Sequence, residues 1–153
     1  SLFANQEQSA KKEHIEKVAE NLWKGISVSF PKPVIEVKDL NIKSLMAEYN
    51  PKTNIISLSY AFYDICLTIG EEALAAVLAH EMGHYFNQHK KYYNINGFYI
   101  SEAEKEFVSS KFKFDLDTAK VHEAQADLFA AFLCYSVGYD ISSSWIKVLE
   151  KAY

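Results

Sequence analysis

The chain has 153 residues, of which 49% are hydrophobic and 24% are charged, so its composition is that of an ordinary globular protein. This length suffices for one domain with a substantial core, and we expect a single domain over residues 1–153. The formal net charge of -4 gives no electrostatic reason to expect nucleic acid or an anionic membrane as a partner. The longest runs without charge, such as residues 128–139, are shorter than the ~20 residues needed to span a bilayer.

The start of the chain bears on the location of the protein, and the two cysteines bear on its disulfide content. The chain begins at Ser1 rather than Met and shows no basic and apolar leader, so we expect either that a leader has been removed or that the sequence has been trimmed. Without a run long enough to span a bilayer, we expect a soluble protein. An extracytoplasmic location, periplasmic or secreted, is favoured, with the cytoplasm as the alternative. Cys66 and Cys134 lie in apolar surroundings and form no C-x-x-C motif, so we expect two buried, inert thiols.

The first predicted element is an amphipathic helix. Residues 6–24 carry apolar side chains at helical spacing, and Gly25 follows at a position suited to ending the helix. His14 lies among Lys and Glu on the polar side, where we expect it to be solvated.

Four short runs of β-type residues follow this helix. They are separated by proline and asparagine, which interrupt helices and strand ladders. The last two runs flank an Asn- and Pro-containing turn and predict a β-hairpin. The runs at 26–30 and 34–38 form two strands or one broken strand, and the other two predicted strands are residues 46–49 and 55–59.

The remaining two thirds of the chain is predicted to be mainly helical. A loop is expected at 94–97, and the segment 98–117 is predicted to be mobile enough to form a rim or lid. The predicted helices are residues 60–69, 71 to about 89, 101–111, 119–137 and 141–152.

Residues 80–84 form the motif H-E-x-x-H, which is a zinc-peptidase signature. Residues 71–79 before it are strong helix formers and almost entirely apolar, so the motif is predicted to lie on a buried helix. Positions i and i+4 share one face of a helix, so His80 and His84 can bind one ion. Glu81 projects beside that ion rather than onto it, where a general base for water belongs.

A catalytic zinc site needs three protein ligands and an open position for water. Lys90 stands where a third histidine would follow in the metzincin class, which excludes that arrangement. In the other large class the third ligand is a glutamate on a later helix, and Glu123 is the best candidate. Asp127 lies one turn after it, where it can accept a hydrogen bond from a ligating histidine. We therefore predict one zinc ion per chain.

The run LAAVLAHEMGH at 74–84, with EAQAD at 123–127 and GYD at 138–140, resembles the gluzincin metallopeptidases. The nearest branch includes the heat-shock membrane protease and the CAAX prenyl protease, and especially the compact soluble minigluzincins. The resemblance extends from about Asn54 to the C-terminus. It implies an α+β, zincin-like fold in which a small antiparallel or mixed sheet packs on the H-E-x-x-H helix and a second, glutamate-bearing helix.

The resemblance also implies a zinc-dependent endopeptidase that acts on a peptide or protein substrate. Ile55–Ser59 would match the edge strand that holds an extended substrate. The implied roles are zinc ligand for His80, His84 and Glu123, general base for Glu81, and hydrogen-bond partner of His80 for Asp127. His122, Tyr135 and His89 are candidates for stabilising the oxyanion, although a structural role is expected for each.

Two alternatives stay open. The combination of H-E-x-G-H-Y with E-A-x-A-D also resembles the small cytoplasmic peptidases that cleave a repressor protein, which usually accompany a helix-turn-helix that this sequence does not show. The second alternative is a latent or non-catalytic zinc-binding protein. In that case His122 or His89 would fill the open metal position, or residues 141–153 would cover the cleft.

Overall fold

The structure is a computed structural model that describes residues 1–26, 30–39, 45–88 and 118–152. The predicted loop at 94–97, helix at 101–111 and rim at 98–117 lie outside the described residues, as does most of the predicted strand at 26–30. The elements within the described ranges, in chain order, are α1 (Leu2–Trp23), β1 (Val34–Lys38), β2 (Ala47–Asn50), β3 (Ile55–Ser59), α2 (Tyr60–Ile69), α3 (Glu71–Gln88), α4 (Thr118–Ser136) and α5 (Ser144–Ala152).

The three described strands form one mixed sheet in the order β1-β3-β2. β2 and β3 form the predicted antiparallel hairpin, with Glu48 opposite Ser57. In the turn, Asn54 adopts a left-handed conformation with φ of 57°, which asparagine tolerates better than most residues. β1 pairs in parallel with the other side of β3, with Val34 opposite Ile55.

The expectation that Ile55–Ser59 is an edge strand was wrong, because this segment is the central strand β3. Its side chains are buried on both faces, and Ile56 and Leu58 are fully inaccessible to solvent. In the described part of the sheet, β2 is an outer strand, and it packs against α3. The ring of Tyr49 in β2 meets the buried ring of Tyr85 in α3 edge to face, with centroids 5.6 Å apart, and so fixes β2 against α3.

The prediction of a buried helix before the histidines is confirmed, since residues 73–79 of α3 are at most 3% exposed. Gly70, with φ of 150°, joins α2 directly to α3 in a conformation that side chains rarely allow. α3 packs against α1, α2, α4, α5 and the sheet, and is therefore the central element of the core.

α1 begins at Leu2, earlier than predicted, because the Ser1 hydroxyl caps it by accepting a hydrogen bond from the Ala4 N–H. The expectation that His14 is solvated was wrong. Its Nδ1 lies 2.8 Å from the Tyr63 hydroxyl in α2, and its Nε2 lies 2.7 Å from a carboxylate oxygen of Glu71 at the start of α3. The polar side of α1 thus contacts two other helices.

α5 starts at Ser144, later than predicted, because the Asp140 carboxylate accepts hydrogen bonds from the N–H and hydroxyl of Ser142 and forms a turn there. The fold is α+β, with a small mixed sheet and several helices, as the sequence predicted. In the described part of the chain, no helix has the length and apolar character needed to cross a bilayer.

Candidate metal centre

The C-terminal half of α3 brings two imidazoles together. His80 and His84 lie one turn apart on the same face, and their Nε2 atoms are 3.1 Å apart. Both side chains are largely buried, with 10% and 19% of their surfaces exposed. Two ring nitrogens that converge in a largely buried position offer two lone pairs to a shared partner.

α4 supplies a carboxylate to the same point. Glu123 places one oxygen 3.1 Å from Nε2 of His80 and the other 2.9 Å from Nε2 of His84. Single donor atoms from the three residues lie within 4.8 Å of one another. They line a cleft of about 280 Å³ whose described walls come from β2, α3 and α4.

These distances fit a small tetrahedral cation. Two ligands bound at the ~2.0–2.1 Å typical of zinc lie about 3.3 Å apart at the tetrahedral angle, close to the 3.1 Å between the two imidazole nitrogens. The two carboxylate oxygens of Glu123 each lie at a similar distance from one of these nitrogens. Burial, and then the nearby charge of His80, lower the pKa of His84 and favour the neutral imidazole that binds metal. The residues present therefore fit a divalent metal ion.

Asp127 orients one of the two imidazoles. Its Oδ1 lies 2.8 Å from Nδ1 of His80, one helical turn beyond Glu123 on α4. A hydrogen bond donated by Nδ1 leaves the Nε2 lone pair of His80 directed towards Glu123 and His84. The structure thus places Asp127 within hydrogen-bonding distance of His80.

Glu81 lies beside the converging atoms and is only 7% exposed. Burial is the main cause that raises the pKa of its carboxyl to about 8, and the negative charges of Glu123 and Glu48 act in the same direction. A hydrogen bond from the backbone N–H of Tyr49 in β2 opposes this rise. Glu81 is thus a carboxylate in an environment where accepting a proton is favoured.

Sequence reasoning missed the part that Gly83 plays. A Cβ at this position would lie 2.8 Å from the Cα and 3.0 Å from the carbonyl oxygen of Ala126, closer than such atoms normally approach. The missing side chain lets α4 approach α3 near the site, so that Glu123 and Asp127 reach the histidines. The available signal was a glycine inside an otherwise strong helical pattern, which often marks close packing.

The structure separates the three candidates for oxyanion stabilisation. Tyr135 is 84% exposed and lies about 18 Å along α4 from Glu123, outside the cleft. His122 is near enough for its charge to act on His84, but it does not belong to the converging group. His89 lies outside the described residues. Within the described ranges, no fourth metal-binding side chain joins His80, His84 and Glu123.

Comparison with models of protein families matches residues 9–149 to the family described as Peptidase family M48. The matched range covers most of the chain and contains every residue of the centre. No curated protein and no solved structure matches the chain. The family consists of metal-dependent peptidases, in agreement with a centre built from two histidines and a glutamate. The chain therefore belongs to peptidase family M48.

Proposed function

We propose that the protein is a zinc-dependent endopeptidase in which His80, His84 and Glu123 bind the metal and Glu81 is the general base. The observation that carries this proposal is the convergence of the three donors in one cleft with a buried glutamate beside them. Two imidazoles and one carboxylate are a donor set that suits zinc and leaves a coordination position open.

When bound, zinc supplies Lewis acidity, which polarises the scissile carbonyl and lowers the pKa of water towards ~7. Glu81 accepts the proton of the attacking water on its carboxylate and then donates it to the departing amine nitrogen. The burial that raises the pKa of Glu81 favours the first of these transfers. Asp127 holds His80 in the tautomer that leaves Nε2 free to bind.

An extended substrate would bind along β2 rather than along β3, because β2 borders the cleft and β3 is enclosed between two strands. Ala47, Glu48 and Tyr49 of β2 line the cleft opposite the histidines. The main chain of such a strand binds a peptide through backbone hydrogen bonds, which suits substrates of varied sequence.

The first test is metal content. About one zinc per chain is expected in the purified parent protein, with a marked loss in Glu123→Ala. Absence of metal from the parent after zinc has been offered would contradict the three-ligand centre and, with it, the peptidase mechanism.

The second test separates the base from the ligands. Glu81→Gln should retain zinc but lose at least about 100-fold in hydrolysis of a peptide pool, because the proton acceptor is removed while its shape is kept. Glu72→Gln is the matched control, since Glu72 is an exposed acid in the first turn of the same helix. Near-normal hydrolysis by Glu81→Gln would show that another group is the base.

The alternatives from the sequence make different predictions. The family match supports a metallopeptidase of this family over the repressor-cleaving type, for which cleavage of one regulatory protein only would be expected.

Latency through residues 141–153 predicts activity only after their removal. Against it, no described residue of α5 lines the cleft. A non-catalytic zinc protein would bind metal fully yet hydrolyse nothing in either form.

A further inference from the structure

One face of the His80 ring is in contact with a tryptophan from α5. The ring centroids of His80 and Trp145 are 5.3 Å apart, and the two planes are inclined by only 33°. Trp145 is not among the residues that line the cleft, so the contact is made outside the space in which a substrate would bind. No motif in the sequence predicts this contact.

Trp145 lies in the first turn of α5 and packs against the core. Its backbone N–H donates a hydrogen bond of 3.1 Å to the carbonyl of Ile141, which precedes the helix. Val148, three residues later on the same side of the helix, is 1% exposed and belongs to the core, whereas Ile146 on the other side is 59% exposed. The inward side of α5 therefore presents the indole to His80 on α3.

The hydrogen bond to Asp127 fixes His80 at one atom only. A ring held at Nδ1 is still free to tilt about that bond, and a tilt moves Nε2 away from the other two donors. The edge-to-face contact with His84, at 4.7 Å and 87°, opposes part of this movement. A broad, flat indole against the ring opposes the tilt over the whole face.

We propose that Trp145 is a positioning residue for the metal centre, which holds the plane of His80 so that Nε2 stays aligned with Nε2 of His84 and the carboxylate of Glu123. It acts on metal binding through His80 and makes no contact with substrate. The inference depends on the metal centre and does not require that the protein hydrolyses peptides.

The first experiment measures zinc affinity by competition with a chromogenic chelator. Trp145→Ala should bind zinc about 10-fold more weakly than the parent, whereas Trp145→Phe, which keeps a flat ring, should stay within about threefold. Trp23→Phe is the control, because Trp23 packs on Tyr85 and Phe86 away from His80. Parent-like affinity in Trp145→Ala, or an equal loss in Trp145→Phe, would overturn the proposal.

A second measurement does not require that Trp145→Ala folds. The chain has two tryptophans. Trp145 is therefore the only tryptophan left in Trp23→Phe, and Trp23 is the only tryptophan left in Trp145→Phe. Cobalt bound by His80 should quench the emission of Trp145 strongly and that of Trp23 much less, and zinc should reverse the quenching by competition. Unchanged Trp145 emission would overturn the proposal.

These readouts separate the failure of this inference from the failure of the proposed function. A parent protein that binds metal and hydrolyses no peptide, together with quenching of Trp145 by cobalt in Trp23→Phe, would leave the positioning role intact and remove the peptidase. A parent that binds no metal would overturn both.

Discussion

Gly83 in α3 and Ala126 in α4 meet backbone to backbone, because a Cβ on Gly83 would lie 2.8 Å from the Cα of Ala126. This contact fixes the spacing of the two helices that carry all the converging donors. The ~1 kcal/mol that glycine costs inside a helix is therefore offset by the close approach it permits.

Gly83→Ala should lower the free energy of unfolding by about 1–3 kcal/mol through overpacking, even though alanine is the better helix former. It should also weaken zinc binding, since Glu123 would move away from the histidines. Urea unfolding and chelator competition measure the two effects. Adding Ala126→Gly should not restore either property, because the closest atoms belong to the backbone of Ala126. Full rescue would show that the side chain, and not the backbone, limits the approach.

Asp127→Asn tests the orientation of His80. The substitution keeps the size of the side chain but removes the charge that favours a donated Nδ1 proton, so zinc affinity should fall about 10- to 100-fold. Thermal unfolding of the metal-free protein should change little. Glu20→Gln, an exposed acid on α1, serves as the control. Equal zinc affinities in Asp127→Asn and the parent would exclude this role for Asp127.

The two thiols should be inert in the native protein. Cys66 and Cys134 are buried and free, and burial raises the pKa of each thiol to about 12. At pH 8 a thiol-reactive dye should therefore label the folded chain only as fast as it unfolds, and should label two groups after denaturation. Rapid labelling without denaturant would contradict the burial.

The same burial predicts a loss of stability in alkali. Because the folded thiols have a pKa above their ordinary value of 9.0, their contribution to stability is fully present below about pH 9 and is lost as the pH rises from there towards 12. The midpoint of urea unfolding should therefore fall over this range. A Cys66→Ala variant should show a shallower fall, which distinguishes the thiol from the other groups that titrate there.

The convergence of His80, His84 and Glu123 was predictable because it depends on spacing within two helices. The i, i+4 spacing of His80 and His84 fixes their relation on any helix, and the same spacing relates Glu123 to Asp127. The sequence pattern also predicted that the helix before the histidines would be buried, and the structure confirms this for α3. The sequence pattern did not predict whether α3 and α4 pack against each other. Their close contact depends on the absence of a side chain at Gly83.

The features that escaped prediction depend on which elements dock against each other. Residue pattern alone does not reveal that β1 pairs with β3 and encloses it, so the edge strand was assigned to the wrong segment. The polar face of α1 looks solvated until α2 and α3 are placed against His14. Trp145 likewise reads as an ordinary core residue until α5 packs beside His80. Each case is decided by tertiary contacts between segments that are distant in the chain.

The converging donors come from two helices that are far apart in sequence. An ion held by all three would cross-link α3 to α4 and would favour the folded chain over the unfolded one. At 100 times its dissociation constant, such an ion would add about 2.7 kcal/mol to the free energy of unfolding. Resistance to heat and to degradation would then follow the supply of the ion, so that metal availability would set the lifetime of the protein as well as its chemistry.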